Sequence, residues 1–240
     1  MIKLSRVAPF QTAIRAISNF ISEGNFRFND RGISFKAIDP SQIVLVHYVA
    51  PASIFDEFKV EPNLVGIDLE EFNKVMKRAL QRDTLEMQLE DSHLLVRLKG
   101  DLNRSFRLSL IDINEDEAEI PEQTYDATIE ANARLLQEAL KDAALFGSSI
   151  VFKVEKGKLL IEARGSQGTL KTEAKQNDLL KVKAKKDVVS KYSLNFLENI
   201  IKEAEPESKV LLELKSEAPM RISYPIEDTR IQFYLAHMIL

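Results

Sequence analysis

The chain has 240 residues, 45% of them hydrophobic and 29% charged, with a formal net charge of −4. That is material for one large domain or two ordinary ones, and the acid excess excludes nucleic-acid binding through overall charge: any such binding needs basic residues gathered on one face. The absence of cysteine excludes a disulfide framework, a thiolate nucleophile and a thiolate metal site.

The first ten residues lack the apolar run of a signal peptide. The longest purely aliphatic run, Ile43-Val-Leu-Val46, is far too short to span a bilayer, so no membrane partner is expected and the place of work is read as the cytoplasm. Residues 12–22 put Ala13, Ile14, Ile17, Phe20 and Ile21 on one helical stripe, with Gly24 as a stop. Phe26-Arg-Phe28 and Ile33-Ser-Phe35-Lys-Ala37 alternate around Asn29-Asp-Arg-Gly32, which predicts strand, turn, strand. A more continuously apolar strand follows over 43–49, then an irregular edge with a short strand at 58–60. Asp68-Leu-Glu-Glu71 places acids at a helix start, and Leu69, Phe72, Val75, Met76 and Ala79 form the stripe of a second helix. Three alternating strands follow around Leu85-x-Met87-x-Leu89, Leu94-x-Val96-x-Leu98 and Phe106-x-Leu108-x-Leu110.

Near the middle of the chain Asn114–Glu119 reads NEDEAE, four carboxylates in six residues. Nothing there can cover a core, and Pro121 biases Ile120 toward an extended conformation. We read this stretch as a connector. Beyond it the pattern repeats. Gly32 and Gly157 lie 125 residues apart; so do Leu69, Phe72, Val75, Met76 and Lys77 from Leu194, Leu197, Ile200, Ile201 and Lys202. The first helix meets its counterpart, 135–146, at about one residue more. A constant offset through helices and strands marks an internal repeat. The division is residues 1–111, a connecting loop 112–124, and residues 125–240. Few helices and many mostly antiparallel strands give two similar α+β domains, each with two helices packed on antiparallel sheets.

Catalytic patterning is missing. His47, His93 and His237 are scattered, with no second ligand at metal spacing. Phosphate-loop motifs are absent, and Gly165-Ser-Gln-Gly168 reads as a turn. The carboxylates of 115–119, in a solvated connector, lack the burial that shifts pKa values. No catalytic residue, metal site or cofactor is expected. Basic residues remain. Lys74, Lys77, Arg78 and Arg82 gather on or near the second helix, Lys141 and Lys202 stand on the third and fourth, and Arg15 stands alone on the first. A lysine on a helix is most often a solvated position. If these residues bind nucleic acid, they bind phosphates without reading sequence.

Taken together, these features resemble the proliferating cell nuclear antigen family, the DNA sliding clamps of archaea and eukaryotes, over essentially the whole chain. The resemblance rests on Gly32-Ile-Ser-Phe-Lys-Ala-Ile-Asp39-Pro-Ser41, on Asn63-Leu64 leading into the second helix, and on Leu110–Ile113 with the acidic stretch and Ile120-Pro-Glu-Gln-Thr-Tyr125. Ala218-Pro-Met-Arg-Ile-Ser-Tyr224 and Phe233-Tyr-Leu-Ala236 complete it. The resemblance implies a trimeric ring of clamp-fold domains, built from itself or homologous subunits, with helices lining the hole and sheets outside. Such a ring would encircle duplex DNA at the nucleoid without sequence preference. It would tether DNA polymerase, flap endonuclease, DNA ligase and the clamp loader through short aliphatic and aromatic peptide motifs. A checkpoint-type clamp subunit, a specialised member of a heterotrimeric ring and a clamp-fold scaffold without a DNA role are the alternatives.

The resemblance also assigns surfaces. Lys74, Lys77, Arg78, Arg82, Lys141, Lys202 and Arg15 would face DNA. Edge strands at 103–111 and 167–174 would pair head to tail through Phe106 and Leu108 on one and Leu170 and Thr172 on the other. Ile38, Gln42, Ile43, Leu45, Ile120, Pro219, Tyr234, Ala236 and Ile239 would form the partner-peptide pocket. Of these, Leu45 reads as core, while Ile120, Tyr234 and Ile239 read as exposed. The chain departs from the family at Ala236-His-Met-Ile-Leu240, at Gln42, where eukaryotic clamps commonly have histidine, and at Gln11, Thr12 and Ser18, where many relatives place lysines.

Overall fold

The computed structural model describes residues 1–113 and 118–240; Asn114–Glu117, most of the acidic run, lie outside the described residues. The elements are β1 (Ile2–Leu4), α1 (Val7–Ser18), β2 (Glu23–Asn29), β3 (Gly32–Ile38), β4 (Val44–Pro51), β5 (Glu57–Phe58), β6 (Asn63–Asp68), α2 (Leu69–Met76), β7 (Thr84–Leu89), β8 (His93–Lys99) and β9 (Arg104–Ile111). They continue with β10 (Ala127–Asn132), α3 (Ala133–Ala144), β11 (Ser149–Glu155), β12 (Lys158–Gly165), β13 (Gly168–Ala174), β14 (Leu180–Ala184), β15 (Val188–Ser193), α4 (Leu194–Ile201), β16 (Lys209–Leu214), β17 (Met220–Ile226) and β18 (Thr229–Leu235). They form two compact units. One comprises residues 1–42, 46–119 and 226–231; the other comprises 43–45, 120–225 and 232–240.

In the first unit antiparallel strands run β5-β1-β7-β8-β9-β6-β2-β3. β9 serves two neighbours. Arg104–Ser109 pairs with β8, and only Leu110 and Ile111 pair with β6. Gly66 permits that crossing, because a Cβ there would lie 2.1 Å from the Ile111 carbonyl oxygen. Phe10 meets Phe72 and Phe55 edge-on at 6.3 Å, and Phe26 packs on Phe35 at 4.8 Å, so aromatic side chains fill the space between α1, α2 and the strands. In the second unit the strands run β14-β10-β16-β17 and β13-β12-β11-β15. There Tyr192 and Tyr224 are buried, and their hydroxyls donate to the Ala218 and Ile200 carbonyls.

The repeat is visible in the buried stripes. α2 buries Leu69, Phe72, Val75 and Met76, and α4 buries their counterparts 125 residues on, Leu194, Leu197, Ile200 and Ile201. Val7, Phe10, Ala13, Ile14 and Ile17 of α1 match Ala133, Leu136, Ala139, Leu140 and Ala143 of α3 at an offset of 126. Gly32, just after one hairpin turn, and Gly157, in the other, both have positive φ, 138° and 76°.

Several boundaries differ from the sequence reading. The first helix begins at Val7 rather than 12, since Pro9 falls in its first turn, where no intrahelical donor is lost. The third begins at Ala133, capped by the Asn132 side chain. The short strand is Glu57–Phe58, not 58–60. The second helix ends at Met76 rather than Ala79. Lys77, Arg78 and Arg82 therefore lie in the turns beyond it, not on a helical face.

Candidate nucleic-acid, subunit and partner surfaces

In the first unit α1 and α2 are tied by two polar contacts. Gln11 Nε2 donates to the Met76 carbonyl at 2.8 Å, and Asn73 Nδ2 donates to Ser18 Oγ at 2.7 Å. Gln11 and Ser18 thus help hold a helix pair together. The second unit repeats the first contact: Gln137 Nε2 donates to the Ile201 and Ala204 carbonyls at 3.2 and 3.1 Å. Sequence reasoning missed this pair of glutamines, although they lie 126 residues apart, in phase with the helices that carry them.

The basic residues differ in how far they are neutralised. Lys74 pairs with Glu71 at 2.6 Å, which raises its pKa, and Lys141 pairs with Glu138 at 2.6 Å. Lys202 donates to Asn199 Oδ1, and half-buried Arg15 donates weakly to Thr12 Oγ1. Lys77, Arg78 and Arg82 are exposed, and among the described residues their side chains make no ion pair. The strongest free positive charge of the set is therefore the 77–82 turn.

That turn is pinned from below. Asp83, 2% exposed, accepts the Leu80 N–H at 2.7 Å and the Arg104 guanidinium, which also donates to the Arg78 carbonyl at 2.7 Å. Arg104 opens β9. On its first six residues β9 pairs only with β8, leaving the other backbone edge open, and Phe106 and Leu108 are half-buried on one face. In the second unit β13 pairs only with β12, and Leu170 and Thr172 are half-buried on one face. Both are edge strands with an apolar row. Three exposed leucines that sequence reasoning did not single out flank them: Leu80 and Leu102 beside β9, and Leu145 in the turn after α3. For Leu80 and Leu145, an apolar residue off the helical stripe was the available signal.

The pocket residues divide between the units. In the first, Ile38 is 45% exposed. Asp39 accepts the Ser41 N–H and hydroxyl, and this turn holds Gln42 exposed at φ 57°. In the second, Leu45 is buried, Ile43 is half-buried, and its carbonyl accepts the Ala236 N–H at 2.8 Å. Gln123 Nε2 donates to the Pro219 carbonyl at 2.9 Å, bringing the end of the connector onto the loop residue just before β17. Ile120 and Ala236 are half-buried and Ile239 is 90% exposed. Tyr234, expected at the surface, is buried at 5% exposure. Its polarity misled the reading: the hydroxyl is hydrogen-bonded to Arg221, which also grips Glu213 through two nitrogens and covers the Tyr125 ring at 5.1 Å. Burial in this cluster pushes the Tyr125 phenol up to about 12.

Comparison with known proteins gives one answer. Residues 1–119 match the family model described as proliferating cell nuclear antigen, N-terminal domain, and residues 119–239 match that of the C-terminal domain. The DNA polymerase sliding clamp 1 of Thermococcus kodakarensis is 33% identical over 95% of this chain and 93% of its own length. The DNA polymerase sliding clamp of Pyrococcus horikoshii is 32% identical over the same shares. Among solved structures, the proliferating cell nuclear antigen of Thermococcus kodakaraensis superposes with a TM-score of 0.94 at 30% identity, covering 99% of both chains. That of Entamoeba histolytica gives 0.91 at 26% identity, over 99% of this chain and 98% of its own. The chain belongs to the proliferating cell nuclear antigen family.

Proposed function

We propose that the protein is a DNA sliding clamp: a ring that encircles duplex DNA and acts as processivity factor and tether, with no catalytic step of its own. The observation that carries this reading is the match, over nearly the full chain, to relatives named as DNA polymerase sliding clamps. The geometry supports it. Two open edge strands with apolar rows and flanking leucines suit head-to-tail pairing of β9 of one copy with β13 of the next. A heterologous contact of this kind closes a ring when its rotation closes, here as a trimer. Lys77, Arg78, Arg82 and Lys202 are assigned to the phosphates, with Lys74, Lys141 and Arg15 as weaker contacts. Weak, salt-dependent contacts suit a ring held by topology.

Ile120, Pro219, Ala236 and Ile239 of the second unit are assigned to partner peptides with aliphatic and aromatic anchors, from a DNA polymerase, flap endonuclease, DNA ligase and clamp loader. Affinities on the order of micromolar allow exchange of partners while several sites on one ring supply avidity. The loop 112–124 then connects the two clamp domains, and the work is done at the nucleoid.

The test is the mass in solution. Light scattering should report a trimer, and Leu108→Arg should break it into smaller species. A wild-type protein that is monomeric or dimeric alone would point to a ring that needs homologous subunits. A mutant that keeps the wild-type mass would remove β9 from the interface.

A further inference from the structure

The second unit carries a row of lysines that none of the surfaces above uses. β14 reads Leu-Lys-Val-Lys-Ala and runs into Lys185 and Lys186. Leu180 and Val182 are buried, while Lys181, Lys183 and Lys185 alternate with them and are exposed. Alternate residues of a strand stand about 6.8 Å apart on one face. The carboxylates of the neighbouring strand are already taken: Glu130, opposite Lys181, binds Lys209 at 2.8 Å, and Asp126 binds Lys186 at 3.1 Å. Among the described residues the side chains of Lys181, Lys183 and Lys185 make no ion pair. The fold does not require the row. In the first unit the Lys59 N–H donates to the Met1 carbonyl, as the Lys185 N–H donates to the Asp126 carbonyl in the second. By that correspondence Phe55, Glu57 and Lys59 stand where the second unit has three lysines.

The backbone edge of β14 is capped at Leu180 and Val182. Val182 N donates to Gln176 Oε1 at 3.2 Å, and Leu180 exchanges hydrogen bonds with Asn177. Strand addition along that part of the edge is hindered, and the row presents its ammonium groups to the solvent. We propose that Lys181, Lys183 and Lys185 dock an extended acidic peptide segment with carboxylates at alternate positions, a partner distinct from those of the Ile120 surface. An extended peptide repeats at the same spacing as the row. Leu179, 52% exposed at the head of the row, adds an apolar contact. A nucleic-acid strand fits less well: neither 179–187 nor β10 contains an aromatic side chain on which bases could stack. A duplex lying over this face would also press phosphates onto Asp126 and Glu130, about 4.8 Å inward. A second copy of β14 is repelled, lysine facing lysine. The inference does not depend on the ring.

The test is fluorescence anisotropy with a labelled peptide of alternating glutamate and alanine, using wild type and the K181E/K183E/K185E variant at low salt. The peptide should bind wild type and lose roughly ten-fold or more in affinity on charge reversal. A labelled peptide of alternating lysine and alanine should show the opposite preference, which a merely structural role of the lysines would not produce. Both signals should vanish near 1 M salt, where the Debye length is about 3 Å. If the triple variant melts early, K183E alone carries the test. Unchanged affinity of the acidic peptide on reversal overturns the proposal. So does a thymidine oligonucleotide that outbinds the peptide on wild type and is lost in the variant.

Discussion

Asp83 holds its surroundings together with one carboxylate. It fixes the turn that carries Lys77, Arg78 and Arg82 through the Leu80 N–H, and it fixes the start of β9 through Arg104. Truncating Asp83 leaves the half-buried Arg104 guanidinium without its counter-charge, which costs up to about 3–5 kcal/mol. Asp83→Ala should lower the unfolding free energy by that amount in urea titration; a loss under about 1 kcal/mol would mean that Arg104 is rehydrated. Tyr192 makes a prediction about pH. Its phenol is fully buried, and burial pushes it up to about 12. A raised pKa contributes stability that is complete below the unfolded value near 10 and is lost as pH rises through 12. Stability should therefore fall between pH 10 and 12, by roughly 2–3 kcal/mol for this residue. Tyr192→Phe should be less stable at neutral pH, having lost the bond to Ala218, but should show a flatter alkaline limb. An equally steep limb would assign the loss to other groups. Tyr234 marks the limit of legibility at this scale. A tyrosine near the chain end reads as exposed, and only the three-dimensional meeting with Arg221 explains why its ring is buried.

Among the elements, the helices and hairpins were legible because their apolar periods are strong and recur at a fixed offset. The positions of the charges were less so. The stripe of the second helix reads on to Ala79, but Asp83 draws the chain off the helical path, and that carboxylate shows no pattern in the sequence. Two predictions belong here. Gln11→Ala removes a contact worth about 0.5–1.5 kcal/mol, and Gln137→Ala removes two. Hydrogen exchange should speed up at the ends of α2 and α4 respectively, each in its own unit only. Exchange that rises equally in both would show that the glutamines act through global stability. The second concerns the proposed DNA contact. Lys77→Glu with Lys202→Glu should reduce retention on closed circular DNA while the solution mass stays that of wild type. Unchanged retention would move the phosphate contacts elsewhere.

For the whole molecule, the twofold repeat, the α+β class and the family resemblance were all readable, since each depends on order and spacing along the chain. The composition of the compact units was not. No local pattern says that residues 226–231 complete the first unit, because that membership rests on partners far away in the chain, Arg6 and β4 among them. Arg6, just before α1, grips Glu227 at 2.6 Å and Asp228 at 3.0 Å, the latter across a separation of 222 residues. This clasp has a consequence for biosynthesis. At about 5–20 residues per second, the ribosome supplies Asp228 roughly 11–44 s after Arg6 has emerged. Until then α1 and its neighbours wait without the turn that closes their unit, and Phe10, buried in the finished protein, depends on a nascent chain that stays unaggregated. Folding of the first unit is therefore completed late in translation or after release, however early its helices and hairpins form.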